Sequence, residues 1–218
     1  CTADEEWFVA AHLSIESTGG EVVEAIETIE KAIQSKDVIA IVTALESIES
    51  CLAFATKVMP TVMERMDADV FLNKIRPLLY GHEQIIFRGV DGDRAVTYVG
   101  ETGAQSGVIR AIDSILDIKH SAEITTPMNK FIQCAPPAHQ KFFEYASSVG
   151  KQMLTMNENS QVSSAHRAAK LALTEFRESH LRAVANYLMP NGINLAKYGT
   201  GGTHHTKWLK KMIDETKN

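Results

Sequence analysis

The sequence predicts an all-α fold, a bundle of helices in a single domain over residues 1–218. Through most of the chain, apolar residues recur every three or four positions, which is the period of a helix with one buried face. These segments begin at capping residues and end near glycine or proline. No internal repeat, low-complexity segment or linker divides the chain. Only residues 82–106 depart from the helical period, and there we expect a loop or a small hairpin.

The composition is that of an ordinary globular protein. Hydrophobic residues make up 44% of the 218 residues and charged residues 22%, so the chain can bury a substantial core. The formal net charge is -5, and Lys and Arg form no block. This balance argues against nucleic acid or an anionic membrane as a partner.

The three cysteines, Cys1, Cys51 and Cys134, are far apart and form no CxxC motif. Neither a disulfide framework nor a zinc site is expected from them, and a reducing, cytoplasmic location fits this usage. We recognise no signal peptide and no apolar run near the roughly 18 residues of a membrane span. The start at Cys1, without methionine, suggests that the chain is part of a longer protein.

The first helix is predicted from a capping box. Thr2 followed by Glu5 matches that pattern and opens a helix that reaches about residue 16. The glycine pair at 19–20 should bend or interrupt it, and a second helix then occupies residues 21–34.

A long helix and a short one follow. Asp37 is a suitable N-cap for a helix that runs toward residue 66, and Pro60 should kink it or mark a turn. Asp69 can cap a short helix over residues 70–76.

The period changes after residue 81. The apolar stretches 85–87 and 95–99, separated by the Asp-Gly-Asp sequence at 91–93, are compatible with a small hairpin or with a loop that has no strands. A glycine-rich segment, 100–106, then leads into a helix over residues 107–118.

The second half of the chain is again predicted to be helical. The helices are a short one opened by Thr-Pro at 126–127 and three longer ones at 138–153, 162–188 and 204–215. The connections are the polar loop 157–160, the loop 190–198 and the glycine stretch 199–203.

The longest of these helices places a histidine, His180, in the middle of an apolar face, from which Arg177 points away. The apolar positions at helical spacing around it are Leu173, Phe176, Val184 and Tyr187. A buried imidazole needs a hydrogen-bond partner or a metal. The helix alone therefore leaves two interpretations: a satisfied core histidine, which is the commoner case, or an axial ligand of a metal or haem.

Five segments together resemble the haem-dependent indoleamine 2,3-dioxygenase family. They occur in the family's order at similar spacings and extend over nearly the whole chain. The segments are FLNKIRP at 71–77, GETGAQS at 100–106, PPAHQKF at 136–142, FRESHLRAVANY at 176–187, and GTGGT at 199–203 with WLK at 208–210. The resemblance implies the helical, haem-binding large domain of that family.

The resemblance implies that His180 is the proximal ligand of a haem b iron, with Phe176, Val184 and Thr102 against the cofactor. A histidine-bound haem leaves the opposite position open for O2. The implied enzyme is a dioxygenase that inserts O2 across the indole C2–C3 bond. With L-tryptophan, the product is N-formylkynurenine, in the kynurenine pathway of tryptophan catabolism.

The same resemblance assigns substrate contacts. Arg76 corresponds to the arginine that receives the substrate carboxylate, and Phe71 to an aromatic that packs on the indole. Thr102 and Gly103 lie in the segment that approaches the haem edge and the substrate. Without the resemblance, Arg76 would be interpreted as a solvated helix-end residue and Phe71 as core.

The remaining implied site residues are on the first helix and the glycine stretch. Thr200 belongs to a mobile loop that closes over bound substrate. Phe8 and His12 fall where the family has distal-pocket residues. A distal histidine is similar to that of tryptophan 2,3-dioxygenases, where it hydrogen-bonds the indole N–H; a shift of one residue in the matching would place Ala11 there instead.

The chain departs from the family pattern at two points. The family's smaller N-terminal domain covers part of the distal pocket, and we expect it to be absent from this chain. Either an N-terminal part or a separate chain then completes the pocket, or the site is more open. The sequence after Tyr80-Gly81 also lacks the family's usual tryptophan. The substrate is therefore open between L-tryptophan and a related indole.

Three alternatives to tryptophan cleavage remain open. One is an oxygenase of secondary metabolism that acts on an indole or pyrrole and gives a different product. Another is a non-catalytic haem or O2-binding protein, as in molluscan myoglobins derived from the family. The third is a helical interaction module with a core histidine at position 180.

The other histidines show no spacing typical of zinc sites, and we expect them at surface or loop positions. They are His82, His120, His139, His166, His204 and His205. Glu16 is expected to be a structural partner within the bundle.

Overall fold

Nine α-helices and one small hairpin build the part of the chain that the computed structural model describes, residues 2–156, 158–188 and 198–218. The helices are α1 (Ala3–Glu16), α2 (Gly19–Ser35), α3 (Val38–Val58), α4 (Ala68–Val70), α5 (Gly107–Ile115), α6 (Ala122–Ile132), α7 (Pro137–Leu154), α8 (Ser160–Leu188) and α9 (His205–Lys217). The strands are β1 (His82–Ile86) and β2 (Ala95–Tyr98), which pair antiparallel. The all-α prediction is confirmed, and residues 82–98 form the hairpin rather than the open loop.

The core is built around α3, which packs against α2 on one side and α8 on the other. Its inner face consists of Ile41, Leu45, Ile48 and Leu52, all with no exposed surface. Full burial of one such side chain contributes about 1.5–3 kcal/mol. This row of large aliphatic side chains therefore fixes α8, and with it His180, against the centre of the bundle.

The segment Val38–Glu64 is long and apolar enough to cross a membrane, by length and composition alone. The expectation that no stretch of the chain reaches that length was therefore wrong. The central helix of a globular bundle passes the same test, and α3 buries its apolar face against α2 and α8.

Local capping explains where the first helices begin and end. Thr2 and Glu5 form the predicted capping box at α1. The bend between α1 and α2 lies at residues 17–18, and the glycine pair begins α2 instead of interrupting it. Asp37 caps α3 through a 3.0 Å bond from the Ala40 amide.

The end of α3 shows the effect of proline. Pro60 lacks an amide hydrogen, and the α-helix gives way there to the 3-10 turn Met59–Glu64.

Asp67, not Asp69, caps the next helix. The Asp67 carboxylate accepts bonds from the amides of Asp69 (2.9 Å) and Val70 (3.0 Å). Its backbone is extended, as an N-cap requires, whereas Asp69 already lies inside α4. The chain then continues as a π-helix over Phe71–Ile75 and a 3-10 turn over Arg76–Leu79. A π-helical turn is often found at functional sites.

The prediction that Thr126-Pro127 opens a helix was wrong. Pro127 lies inside α6, which begins five residues earlier. The buried side chains Ile124, Met128 and Phe131 continue one apolar face past the proline. Their packing holds the helix together across the single backbone hydrogen bond that proline removes. The predicted loop 190–198 lies, except for Tyr198, outside the described residues.

Candidate functional site

His180 projects from α8 as a neutral imidazole. The predicted apolar face is buried at Leu173 and Phe176, whereas His180 and Val184 are only half-buried. Burial of the ring, with a smaller contribution from His12, lowers the pKa of His180 to about 4. The ring makes no hydrogen bond to any residue in the part of the chain that the structure describes. A neutral imidazole with an uncommitted lone pair is the form that binds a metal.

The turn Gly103–Gln105 approaches the His180 ring directly. A Cβ atom at position 103 would lie 3.9 Å from the His180 Cε1 atom. Thr102 and Gln105 hold this turn in place: the Thr102 amide donates to Gln105 Oε1 at 3.0 Å, and the Ala104 amide to Thr102 Oγ1 at 3.4 Å. A small residue therefore borders the imidazole on a turn that is fixed by its own cap.

His12 lies on α1 with a defined tautomer. Its Nδ1 atom is 2.8 Å from the carbonyl oxygen of Phe8. Because a carbonyl only accepts, Nδ1 carries the proton and Nε2 has the free lone pair. The adjacent Ala11 is buried and carries no polar group.

A row of aromatic rings runs from α1 to α8. The ring of Phe8 lies 4.3 Å from that of His12 and 5.6 Å from that of Phe71. The Phe71 ring in turn makes an edge contact with Tyr187 at 5.9 Å. Tyr187 is fixed because its hydroxyl donates to the Met66 carbonyl. The rings are tilted or edge-on to one another and form a continuous aromatic surface. From the sequence, Tyr187 was expected only as part of a buried helix face.

Arg76 is buried, so its interpretation as a solvated helix-end residue was wrong. Only 5% of the residue is exposed. Its Nε atom donates to the Tyr80 hydroxyl at 3.1 Å and its Nη2 atom to the Tyr198 carbonyl at 2.6 Å. Within the described residues no carboxylate pairs with it. A buried guanidinium bonded only to neutral acceptors is well suited to receive an anion.

The glycine stretch 199–203 packs tightly on the segment 100–106. The Thr200 hydroxyl donates to the Glu101 carbonyl. A Cβ atom at Gly201 would lie 2.8 Å from Phe131 Cζ and 3.1 Å from Thr102 Cγ2. The stretch thus lies against the segment that contains Thr102, and the missing side chain of Gly201 permits this close packing. Arg76 is joined to the residue before the stretch through the Tyr198 carbonyl.

Behind α8 lies a buried ion pair that the sequence did not predict. Arg177 donates to both carboxylate oxygens of Asp113, at 2.8 and 2.6 Å, and to the Thr216 hydroxyl. Burial alone would raise the pKa of the Asp113 carboxyl, but Arg177 and His120 together hold it below its ordinary value. The pair anchors the helical turn that precedes His180.

The remaining histidines were expected at surface or loop positions, which was wrong for His166 and His205, both in helices and not exposed; His120 lies in the connection between α5 and α6 as expected, although its side chain is buried. Only 2% of the His120 side chain and 6% of His205 are exposed. His166 is half-buried, with Nε2 3.0 Å from the Leu116 carbonyl. Glu16 accepts a bond from the Ser106 hydroxyl, as expected of a structural partner, and so joins α1 to the start of α5.

Within residues 2–156, 158–188 and 198–218, no group of three or more His, Cys, Asp or Glu side chains is placed to hold a metal ion. A metal bound by His180 would therefore need a cofactor that supplies its other ligands. Haem meets this requirement, because the porphyrin provides four nitrogens and the protein one axial histidine.

The chain matches the family model described as indoleamine 2,3-dioxygenase over residues 1–195. It is 27% identical to indoleamine 2,3-dioxygenase qulI of Penicillium citrinum, over 98% of this chain and 54% of that protein. It is 24% identical to indoleamine 2,3-dioxygenase 1 of Mus musculus, over 97% of this chain and 58% of that protein. A myoglobin of Haliotis diversicolor is 22% identical, over 98% of this chain and 61% of its own length. The chain thus spans little more than half the length of these relatives.

Proposed function

This chain belongs to the indoleamine 2,3-dioxygenase family, and we propose that it is a haem b enzyme that inserts both atoms of O2 across the C2–C3 bond of an indole. The observation that carries the proposal is the neutral, unbonded imidazole of His180 beside Gly103. His180 would be the proximal ligand, with Phe176 and Val184 next to it on α8 and Thr102 at the cofactor edge. When bound, haem supplies the iron centre at which O2 reacts.

We propose L-tryptophan or a related indole amino acid as the substrate. Among the described residues Arg76 bonds to a hydroxyl and a carbonyl, and a substrate carboxylate would give it a charge-assisted and bidentate partner. Phe8 and Phe71 offer ring faces for the indole at stacking distances from one another. With L-tryptophan, the expected product is N-formylkynurenine.

His12 would orient the indole. Because Nδ1 donates to the Phe8 carbonyl, Nε2 is the acceptor that an indole N–H requires. A hydrogen bond to this nitrogen fixes which edge of the ring faces the reacting centre. Such positioning is how a protein contributes when the cofactor performs the difficult step.

The glycine stretch 199–203 would cover the bound substrate. Thr200 is held by the Glu101 carbonyl next to the turn that carries Thr102 and Gly103. Loops of this kind exclude water from a reactive site and position the substrate.

Haem reconstitution tests the proposal. The purified chain should bind haem and show a Soret band, and with a reductant, O2 and L-tryptophan it should form a product that carries two oxygen atoms from 18O2. His180→Ala should abolish haem retention, whereas His139→Ala, at an exposed position, should retain it. Haem retention that is unchanged in His180→Ala would refute the assignment of the axial ligand.

A second candidate is an O2-binding protein without turnover. The similarity to a Haliotis myoglobin supports it, because that relative aligns over 98% of the chain. It predicts a stable oxygenated form that leaves tryptophan and indole unchanged. An oxygenase that acts on an indole or pyrrole of secondary metabolism would instead give a product of a different mass from the same assay.

We also propose that the protein is cytoplasmic and that a further domain or a separate chain covers the distal side of the site. The cysteine usage supports the location. The exposed apolar side chains Val9 and Leu13 on α1, on either side of exposed His12, support the covering partner.

A further inference from the structure

His120 lies buried between two carboxylates from different helices. Its Nδ1 atom is 2.9 Å from Glu215 Oε2 on α9, and its Nε2 atom is 3.7 Å from Asp113 Oδ2 on α5. The residue itself belongs to the connection between α5 and α6. Three parts of the chain that are distant in sequence therefore meet at one imidazole, and the haem chemistry proposed above does not involve them.

The hydrogen bonds show which charge state fits this position. An ionised carboxylate only accepts, so Nδ1 must carry a proton toward Glu215. Nε2 is buried and has no hydrogen-bond partner among the described residues. In a neutral ring the Nε2 lone pair would face the negative carboxylate of Asp113. In the doubly protonated ring, an N–H and a positive charge would face that carboxylate instead. The protonated ring is thus complementary to both neighbours.

Of the two carboxylates beside His120, Glu215 is the one whose charge is paired by His120. His120 lies between Asp113, which interacts with Arg110 and Arg177, and Glu215, which interacts with Lys211; Asp117 and Lys119 are on the same connection as His120. Asp113 is paired with Arg177, Asp117 with Lys119, and Lys211 with Glu123. For Glu215, His120 is the one cation within ion-pair distance among the described residues.

We propose that His120 is a protonation-dependent clasp that fastens the C-terminal helix α9 to α5 and so holds the glycine stretch 199–203 in place. This stretch directly precedes α9, so the position of the helix determines the position of the C-terminal end of the stretch. The other polar contacts of α9 include the exposed pairs Lys217–Glu178 and Lys211–Glu123, and exposed pairs contribute little. The buried polar contacts of α9 also include the hydrogen bond from Arg177 to Thr216, and the clasp is the one of these two whose charge depends on a histidine.

The direction of the pH effect follows from the partners. Burial alone would raise the pKa of Glu215, but the bonds from Ser121 and His120 hold it below its ordinary value. Both carboxylates therefore remain charged over about pH 5–8, the range in which histidines ordinarily titrate. Protonation of His120 places a positive charge between these two carboxylates, so α9 becomes more firmly held when the ring is doubly protonated.

Hydrogen exchange of the full chain at pH 8 and pH 6, corrected for intrinsic rates, tests the clasp. Amides of 205–217 should be protected several-fold more strongly at pH 6, with peptides of α7 as the internal reference. In His120→Gln, which keeps a donor toward Glu215 but cannot gain charge, the extra protection should disappear. His139→Gln is the matched control at an exposed histidine and should behave as the parent chain does.

The clasp is refuted if 205–217 show the same pH dependence in His120→Gln as in the parent chain. If His120→Gln does not fold, Glu215→Gln provides the second test, since it removes the negative partner on α9 and should also abolish the pH-dependent protection. Neither measurement requires haem, substrate or turnover. The outcome therefore does not depend on whether the dioxygenase proposal is correct.

Discussion

The guanidinium of Arg76 donates to the backbone carbonyl of Tyr198 across 122 positions of sequence, at 2.6 Å. This bond joins the irregular helical segment that carries Phe71 to the residue immediately before the glycine stretch. Both of its ends lie next to groups assigned to the site: Phe71 five residues before Arg76, and Thr200 two residues after Tyr198. The position of the glycine stretch is therefore linked to the residue proposed to bind the substrate carboxylate.

Replacement of Arg76 by Leu should weaken the binding of amino-acid substrates far more than the binding of simple indoles. The variant loses hydrogen bonds to a charged group, which are worth about 1.5–3 kcal/mol, or roughly 10- to 150-fold in affinity. Spectral titration of the haem-loaded chain should therefore show a much larger increase in Kd for L-tryptophan than for indole.

Arg88→Leu is the control for this experiment, because Arg88 is exposed and pairs only with Asp93 among the described residues. It should leave both dissociation constants unchanged. Equal losses for tryptophan and indole in Arg76→Leu would contradict the carboxylate role and indicate a structural one.

Gly100→Ala should dislodge the glycine stretch. A Cβ atom at this position would clash with the backbone oxygen of Thr200 and would lie 2.6 Å from the Gly81 amide nitrogen. These are backbone atoms that cannot move aside alone, so we expect a loss of about 1–3 kcal/mol in the free energy of unfolding. Urea denaturation measures that loss, and limited proteolysis should show faster cleavage near residues 199–203.

Gly20→Ala is a matched control for the glycine substitution. No atom lies within 4 Å of a Cβ built there, and the residue lies in α2. Alanine within a helix is favoured over glycine by about 0.5–1 kcal/mol, so this variant should be slightly more stable than the parent chain. If Gly100→Ala is equally well tolerated, the close packing of the stretch has no energetic consequence.

Asp113→Asn should destabilise the bundle strongly. It leaves Arg177 as a buried charge without its anion, and breaking one side of a buried pair costs about 3–5 kcal/mol. Removing both charges, as in Asp113→Asn with Arg177→Met, should recover part of that loss because no unpaired charge remains. Chemical denaturation of the single and double variants measures the difference, and a double variant less stable than Asp113→Asn would contradict this account.

The sequence predicted those features that depend on local patterns. The apolar period of α3 and α8 identified both helices, because each lays one continuous face on the core. The same period placed His180 on the apolar side of α8. The proline at position 127 was misinterpreted because a local rule for helix starts was outweighed by the packing of Ile124 and Phe131 in the folded bundle.

Features that depend on residues distant in sequence had no local signal. The partners of Arg177 and His120 lie 64 and 95 positions away, at Asp113 and Glu215. No periodicity or motif relates such positions, so the buried network was not predicted. The burial of Arg76 likewise depends on the fold that brings Tyr198 to it. The resemblance to the family implied the role of Arg76, whereas its burial and its hydrogen bonds are visible only in the folded structure.

His166→Gln should reduce the sensitivity of the fold to acid. Burial lowers the pKa of the His166 imidazole, although its bond to the Leu116 carbonyl acts in the opposite direction. As the pH falls below about 6.5, the ordinary histidine value, the unfolded chain takes up a proton that folded His166 resists, and stability declines. Glutamine keeps a donor for the Leu116 carbonyl but does not titrate.

Urea denaturation at pH 7.5 and pH 5.5 measures this effect. The stability of His166→Gln relative to the parent chain should increase at the lower pH, whereas that of exposed His139→Gln should not. Identical pH profiles for His166→Gln and the parent chain would mean that burial does not control the titration of His166.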